Sequence, residues 1–129
     1  MPNKKDLRLE KYNISTNRYR ELKYFCMQYR EKQSKLRSIT EISSPCIGES
    51  VGTKAGDRTS NIAIQRMQLE SDIKMIEQAA ENADKELSSY IISNVVDGIP
   101  YEYLGVPVGR RQFYHSRRKF FYILSMKKG

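Results

Sequence analysis

The sequence predicts an all-α fold, a long helical hairpin followed by a C-terminal helix-turn-helix, and three observations carry that expectation. Apolar residues recur at helical spacing through several long stretches, glycine and proline gather between those stretches, and the last twenty residues form a basic, aromatic helical pattern. A chain of 129 residues is expected to be one domain, with a modest core and no room for an elaborate catalytic cleft.

Residues 1–16 are polar and without clear period, so they read as a flexible N-terminal segment or a short extra helix. From about Asn17 to Arg37 the positions Tyr19, Leu22, Phe25, Cys26, Tyr29 and Leu36 fall on one stripe, which predicts the first long helix. Its polar side carries Arg18, Arg20, Lys23, Arg30, Lys32 and Lys35 against Glu21 and Glu31, as suited to solvent as to DNA. Between Ile39 and Arg58, Pro45, Gly48, Gly52, Gly56 and the serines 43, 44 and 50 predict a mobile loop. These glycines with Lys54 lack the fixed spacing of a phosphate-binding loop, so the segment reads as a plain linker.

Candidate caps at Asp57, Thr59, Ser60 and Asn61 open a second helix to about Ala83, striped by Ile62, Leu69, Ile73, Ile76 and Ala80. The heptad-like seam from Leu69 to Ala80 suits antiparallel packing on the first helix, and a homodimer through the same seam is the second option. Together these segments make a helical hairpin over residues 17–83. Glu70, Asp72 and Glu77 read as solubilising carboxylates on its exposed face.

Residues 84–129 contain the predicted helix-turn-helix. Asp84 is expected to cap a third helix through about Val96, with Leu87, Tyr90, Ile91 and Val95 as its buried edge and Gly98 as its stop. Pro100 can open a very short helix to Leu104, and Gly105, Pro107 and Gly109 make a turn before the basic helix begins at Arg110. Helix, stop, short helix, turn and long helix is the layout of a helix-turn-helix with its recognition helix last.

Charge is distributed unevenly over the chain, whose formal net charge is +8. Residues 1–41 are basic (+6), residues 42–109 acidic (−5) and residues 110–129 basic again (+7). On a helical wheel Phe113, Phe120, Phe121 and Leu124 share one side with Ser116 and the stem of Arg117, while Arg111, Tyr114, His115, Arg118, Lys119 and Tyr122 face away. A merely solvated helix face mixes signs in i,i+4 pairs, and this one has no acidic residue. Arg110, Arg111, Gln112, Tyr114, His115, Arg118, Lys119 and Tyr122 are therefore the expected DNA-binding residues, with donors on arms long enough to reach phosphates or base edges.

Other chemistries find little material. Cys26, Cys46 and His115 cannot close a four-ligand zinc site without carboxylates, and no cofactor is expected. His115 has no orienting carboxylate nearby in sequence, so a general-base role is not expected and the chain does not read as an enzyme. With no secretory signal and no apolar run near 18 residues, a cytoplasmic location with free thiols and no membrane partner is expected.

The run from Asp97 through Gly98, Ile99, Pro100, Tyr101, Glu102 and Tyr103 to Leu104, followed by Gly109 through Tyr114, resembles the C-terminal part of phage transcriptional regulators of the RinA and ArpU type. Those are similar to region 4 of sigma factors, in which a scaffold helix precedes a turn and an arginine-rich recognition helix. Gly98, Ile99, Glu102 and Leu104 match the scaffold pattern, and Phe113 matches the buried apolar position of the recognition helix. The turn is shorter and richer in proline, and Pro100 with Tyr101 replaces a commoner Ser-apolar pair. The likeness covers roughly the last forty-five residues and implies activation of late phage or prophage genes at promoter DNA, beside host RNA polymerase. A phage DNA-packaging protein resembling a small terminase subunit is the alternative, since it combines the same elements.

Overall fold

The computed structural model describes the backbone of residues 13–43 and 53–129 and the side chains of 13–40 and 60–129. Five α-helices follow one another among these residues: α1 (Thr16–Met27), α2 (Tyr29–Ser43), α3 (Thr53–Ala83), α4 (Ser88–Asp97) and α5 (Arg110–Lys128), with a single 3-10 turn at Tyr101–Tyr103 before α5. The architecture is all-α, and no strand occurs among the described residues.

Ser15 starts α1 because its hydroxyl accepts the Arg18 N–H at 3.1 Å, satisfying one of the donors a helix leaves unpaired at its first turn. Just before it, Ile14 is 3% exposed and joins the core, so the expected flexible segment is anchored at its end; residues 1–12 of that segment lie outside the described residues. The helix expected over 17–37 is broken at Gln28, whose N–H bonds back to Phe25 in a tightened turn. No proline or glycine marks the break. Just beyond it the chain is tied to other helices: Tyr29 donates its hydroxyl to Glu77 Oε2 at 2.6 Å, and Arg30 donates to both carboxylate oxygens of Asp97 at 3.3 and 3.0 Å.

Residues 29 and 32 meet 77 and 72 respectively, so α2 and α3 run antiparallel, as the expected hairpin requires. The predicted loop over 39–58 is much shorter. Residues 39–43 complete α2 and residues 53–58 already belong to α3, Gly56 included, while the remainder of that loop lies outside the described residues. Glycine weakens a helix by only about 1 kcal/mol, which a 31-residue helix can absorb.

The helix expected to start at Asp84 begins one turn later. The Asp84 carboxylate accepts the Glu86 and Leu87 N–H groups at 3.1 and 3.3 Å, organising a turn from which α4 departs at Ser88. Gly98 ends α4 in the left-handed conformation at φ +70°, where a side chain would be strained. Pro100 stands just ahead of the 3-10 turn in extended conformation, so the expected short helix reduces to one turn.

The core is one cluster drawn from every helix but α2's distal part: Tyr19, Leu22 and Cys26 of α1, Tyr29 of α2, Ile73, Ile76, Ala79 and Ala80 of α3, Ile91 and Val95 of α4, and the buried face of α5. Helix α3 packs on α5, α2 and α4, and α1 closes the other side against α4 and α5. Alanines 79, 80 and 83 leave room for close helix approach, while Phe113, Phe120 and Phe121, each fully buried, fill the space opposite. The terminal helix is thus held by both the hairpin and α1.

Candidate nucleic-acid interface

Gly109 stands just ahead of α5 and supplies no side-chain cap, and the Phe113 N–H bonds to the Gly109 carbonyl at 3.0 Å. The expected inner face is confirmed in full. Phe113, Phe120, Phe121 and Leu124 are 0% exposed, and Ser116 is buried with its hydroxyl donated to Asp84 Oδ2 at 3.2 Å. Four large apolar side chains spaced over three turns prevent the helix from rotating without opening the core.

On the outer face Arg111, His115 and Tyr122 are exposed in one row, with Arg118 half-buried beside them and Lys119 and Gln112 exposed at its edge. At 1.5 Å rise per residue, the row from Arg111 to Tyr122 is about 16 Å long. The structure thus brings six of the eight expected residues together on one accessible side. Met126, 67% exposed, lies at the far end of the same row.

The other two are held differently. Tyr114 is half-buried, with its ring centroid 5.3 Å from Phe113 and 6.4 Å from Tyr101, so its expected place on the outward face is corrected: at about 100° from Phe113 it lies on the flank of the core. Arg110 forms an ion pair with Glu102 of the 3-10 turn, and its guanidinium sits 5.9 Å from the Tyr101 ring centroid and 5.8 Å from that of Tyr114. Sequence reading paired neither residue with the preceding turn. The signal was available in Glu102, the last acidic residue of the chain, eight positions before Arg110.

Arg117 is the principal omission. Its Nε donates to Asn94 Oδ1 at 2.8 Å and one terminal nitrogen donates to the Tyr19 hydroxyl at 3.1 Å, while the guanidinium lies 5.0 Å from the Phe121 ring centroid. One cation therefore joins α5 to α4 and α1. Asn94 in turn donates Nδ2 to the Ile99 carbonyl at 2.9 Å, and Tyr101 closes the following loop by donating its hydroxyl to the Val108 carbonyl at 2.7 Å.

At the other end of α5, Arg18 donates to Ser125 Oγ at 3.1 Å and to the Ser125 carbonyl at 3.0 Å, so a cation from α1 caps the helix where its dipole is negative. Lys128 lies 4.9 Å above the Phe25 ring, folded onto α1. Of the basic residues expected on the first helix, Arg18, Arg30 and Lys32 make polar intramolecular contacts, Lys23 lies 6.0 Å over the Tyr19 ring, and Arg20 and Lys35 are exposed.

The carboxylates expected to be merely solubilising are corrected in two cases. Asp72 is paired with Lys32 at 2.9 Å, both side chains being 15% exposed or less, and Glu77 accepts the Tyr29 hydroxyl. Burial, followed by the bond to Glu77, pushes the Tyr29 hydroxyl pKa up to about 12. Burial also pushes the Cys26 thiol up to about 12, as expected for a thiol that packs as a small hydrophobe and not as a nucleophile.

Among the described residues no cluster of His, Cys, Asp and Glu could hold a metal ion, and no helix is long and apolar enough to cross a membrane. No family model matches this chain, and neither does any curated protein or solved structure.

Proposed function

We propose that this chain binds double-stranded DNA through the outward face of α5 and acts as a phage or prophage transcription regulator at promoter DNA. The observation that carries the reading is the row Arg111, His115, Arg118, Lys119 and Tyr122, free of acidic residues and mounted on a helix whose opposite side is wholly buried. Donors fixed on a rigid element can meet a polyanion without first losing the freedom of a flexible tail.

In this reading α4, the 3-10 turn and α5 form a helix-turn-helix unit with α5 as its recognition helix. The succession of helix, positive-φ glycine, tight turn and basic helix supports it, as does the resemblance to regulators of the RinA and ArpU type. Host RNA polymerase is the protein partner that resemblance implies, and the cytoplasm is where both would be met.

Sequencing of DNA fragments that co-purify with the protein tests the proposal. Enrichment beside one promoter supports regulation, whereas enrichment at packaging sites shifts the role to genome packaging. Lack of any duplex binding at low salt overturns the DNA reading.

A further inference from the structure

We propose that Glu102 restrains non-specific DNA affinity by withholding Arg110 from phosphate contact. The inference rests on the duplex-binding reading of α5 and assigns a function to an acidic residue at its leading end.

Arg110 is the first residue of α5, the position from which a recognition helix approaches DNA. Its guanidinium is nevertheless bonded to the Glu102 carboxylate, and the rings of Tyr101 and Tyr114 flank it at 5.9 and 5.8 Å. The platform under Glu102 is itself closed: Tyr103 N–H bonds to the Pro100 carbonyl at 3.0 Å, Leu104 N–H to the Tyr101 carbonyl at 3.2 Å, and the Tyr101 hydroxyl to Val108. Carboxylate and guanidinium are thus presented together from two braced elements.

Both side chains of this pair are about half exposed, at 53% and 50%, so the bond itself adds little to stability. Its consequence is electrostatic. A carboxylate in contact with a guanidinium cancels most of the local positive charge, and binding to phosphates scales with the number of charges that displace counterions. Arg111, one residue on and exposed on the outer row, keeps its charge. The helix therefore meets DNA with a cation at the base-reading position and a neutralised pair at its leading edge. Such an arrangement lowers affinity for any duplex while leaving sequence reading intact, which raises the ratio of specific to non-specific binding.

The test is the salt dependence of binding to a mixed-sequence duplex, measured by fluorescence anisotropy for the full chain, E102Q, R110A and the double variant. Glutamine keeps an acceptor for Arg110 and removes the charge, and E102A serves as a second variant. Thermal melts confirm that each variant folds.

E102Q and E102A should bind the mixed duplex more tightly, with the log–log salt slope steeper by about 0.9, an extra loss of about 3.5-fold between 50 and 200 mM salt. R110A alone bares the Glu102 carboxylate and should weaken binding, and R110A placed on E102Q should return affinity and slope to those of the unaltered chain. A purely structural role for the pair would shift melting temperature without this dependence on Arg110. Slopes unchanged in both Glu102 variants, or a steeper slope that persists when R110A is placed on E102Q, overturn the inference while leaving duplex binding standing. Absence of duplex binding by the unaltered chain at low salt overturns the underlying reading as well.

Discussion

Arg117 Nε donates to Asn94 Oδ1 at 2.8 Å, and because Asn94 Nδ2 donates to the Ile99 carbonyl at 2.9 Å, one amide holds both the basic helix and the turn that precedes it. The angle between α4 and α5 is set at this junction, with Tyr19 of α1 as the second acceptor for Arg117. A residue on the most basic helix of the chain thus spends its charge on architecture.

Arg117→Ala and Asn94→Ala should each lower stability, by about 1.5–3 kcal/mol for the arginine, whose bonds are charge-assisted. A double-mutant cycle by thermal or urea unfolding should show coupling between them of about 0.5–3 kcal/mol. Additive losses would mean that the two side chains act independently.

Phe113→Ala and Phe120→Ala should cost about 3–5 kcal/mol each, since both rings are fully buried. Arg111→Ala should stay within about 0.5 kcal/mol of the parent. Tyr114→Ala should fall between, at about 1–2 kcal/mol, because its half-buried ring packs edge-on against Phe113. Urea denaturation of the four variants orders them, and a neutral Tyr114 change would contradict its place on the flank of the core.

Duplex affinity should fall steeply with salt, and Lys119→Ala should flatten the log–log slope by about 0.9. Arg111→Ala should in addition relax preference at one or two base positions, since a guanidinium can bond O6 and N7 of one guanine, worth about 1–3 kcal/mol against a wrong base. Competition of an enriched fragment against scrambled DNA separates the two effects. Equal loss on both DNAs for Arg111→Ala would show that this helix grips the backbone alone.

Alkaline pH should destabilise the fold. Cys26 rises from 9.0 to about 12 and Tyr29 from 10.0 to about 12, so in each case the folded state holds its proton more tightly than the unfolded chain. Their contribution is complete below pH 9 and is lost as pH climbs toward 12. Melting temperature should therefore decline between pH 9 and 12, less so in a Cys26→Ala, Tyr29→Phe variant. In a Cys46→Ser background, a thiol reagent at pH 8 should modify Cys26 only as fast as the protein opens; immediate modification would contradict its burial.

Periodicity made the helices legible. Phe113, Phe120, Phe121 and Leu124 announced the buried side of α5 because a 3.6-residue repeat maps spacing directly onto a face, and Gly98 announced the end of α4 because few other residues take positive φ. The alternative sides of the same wheel were less legible at their margins. Tyr114 lies near the boundary between faces, where the neighbouring Tyr101 decides whether a ring is covered.

By itself, then, the sequence determined an all-helical chain, the inner face of its last helix and the absence of acidic side chains on the outer one, since these follow from local spacing and composition. Only the tertiary structure decided the break at Gln28, the role of Arg117 and the pairing of Arg110 with Glu102. The physical reason is that a cation's partner is chosen by what the folded chain places within hydrogen-bond reach. Arg18 finds Ser125 and Arg117 finds Tyr19 across about a hundred residues, a distance over which no local pattern in the chain carries information.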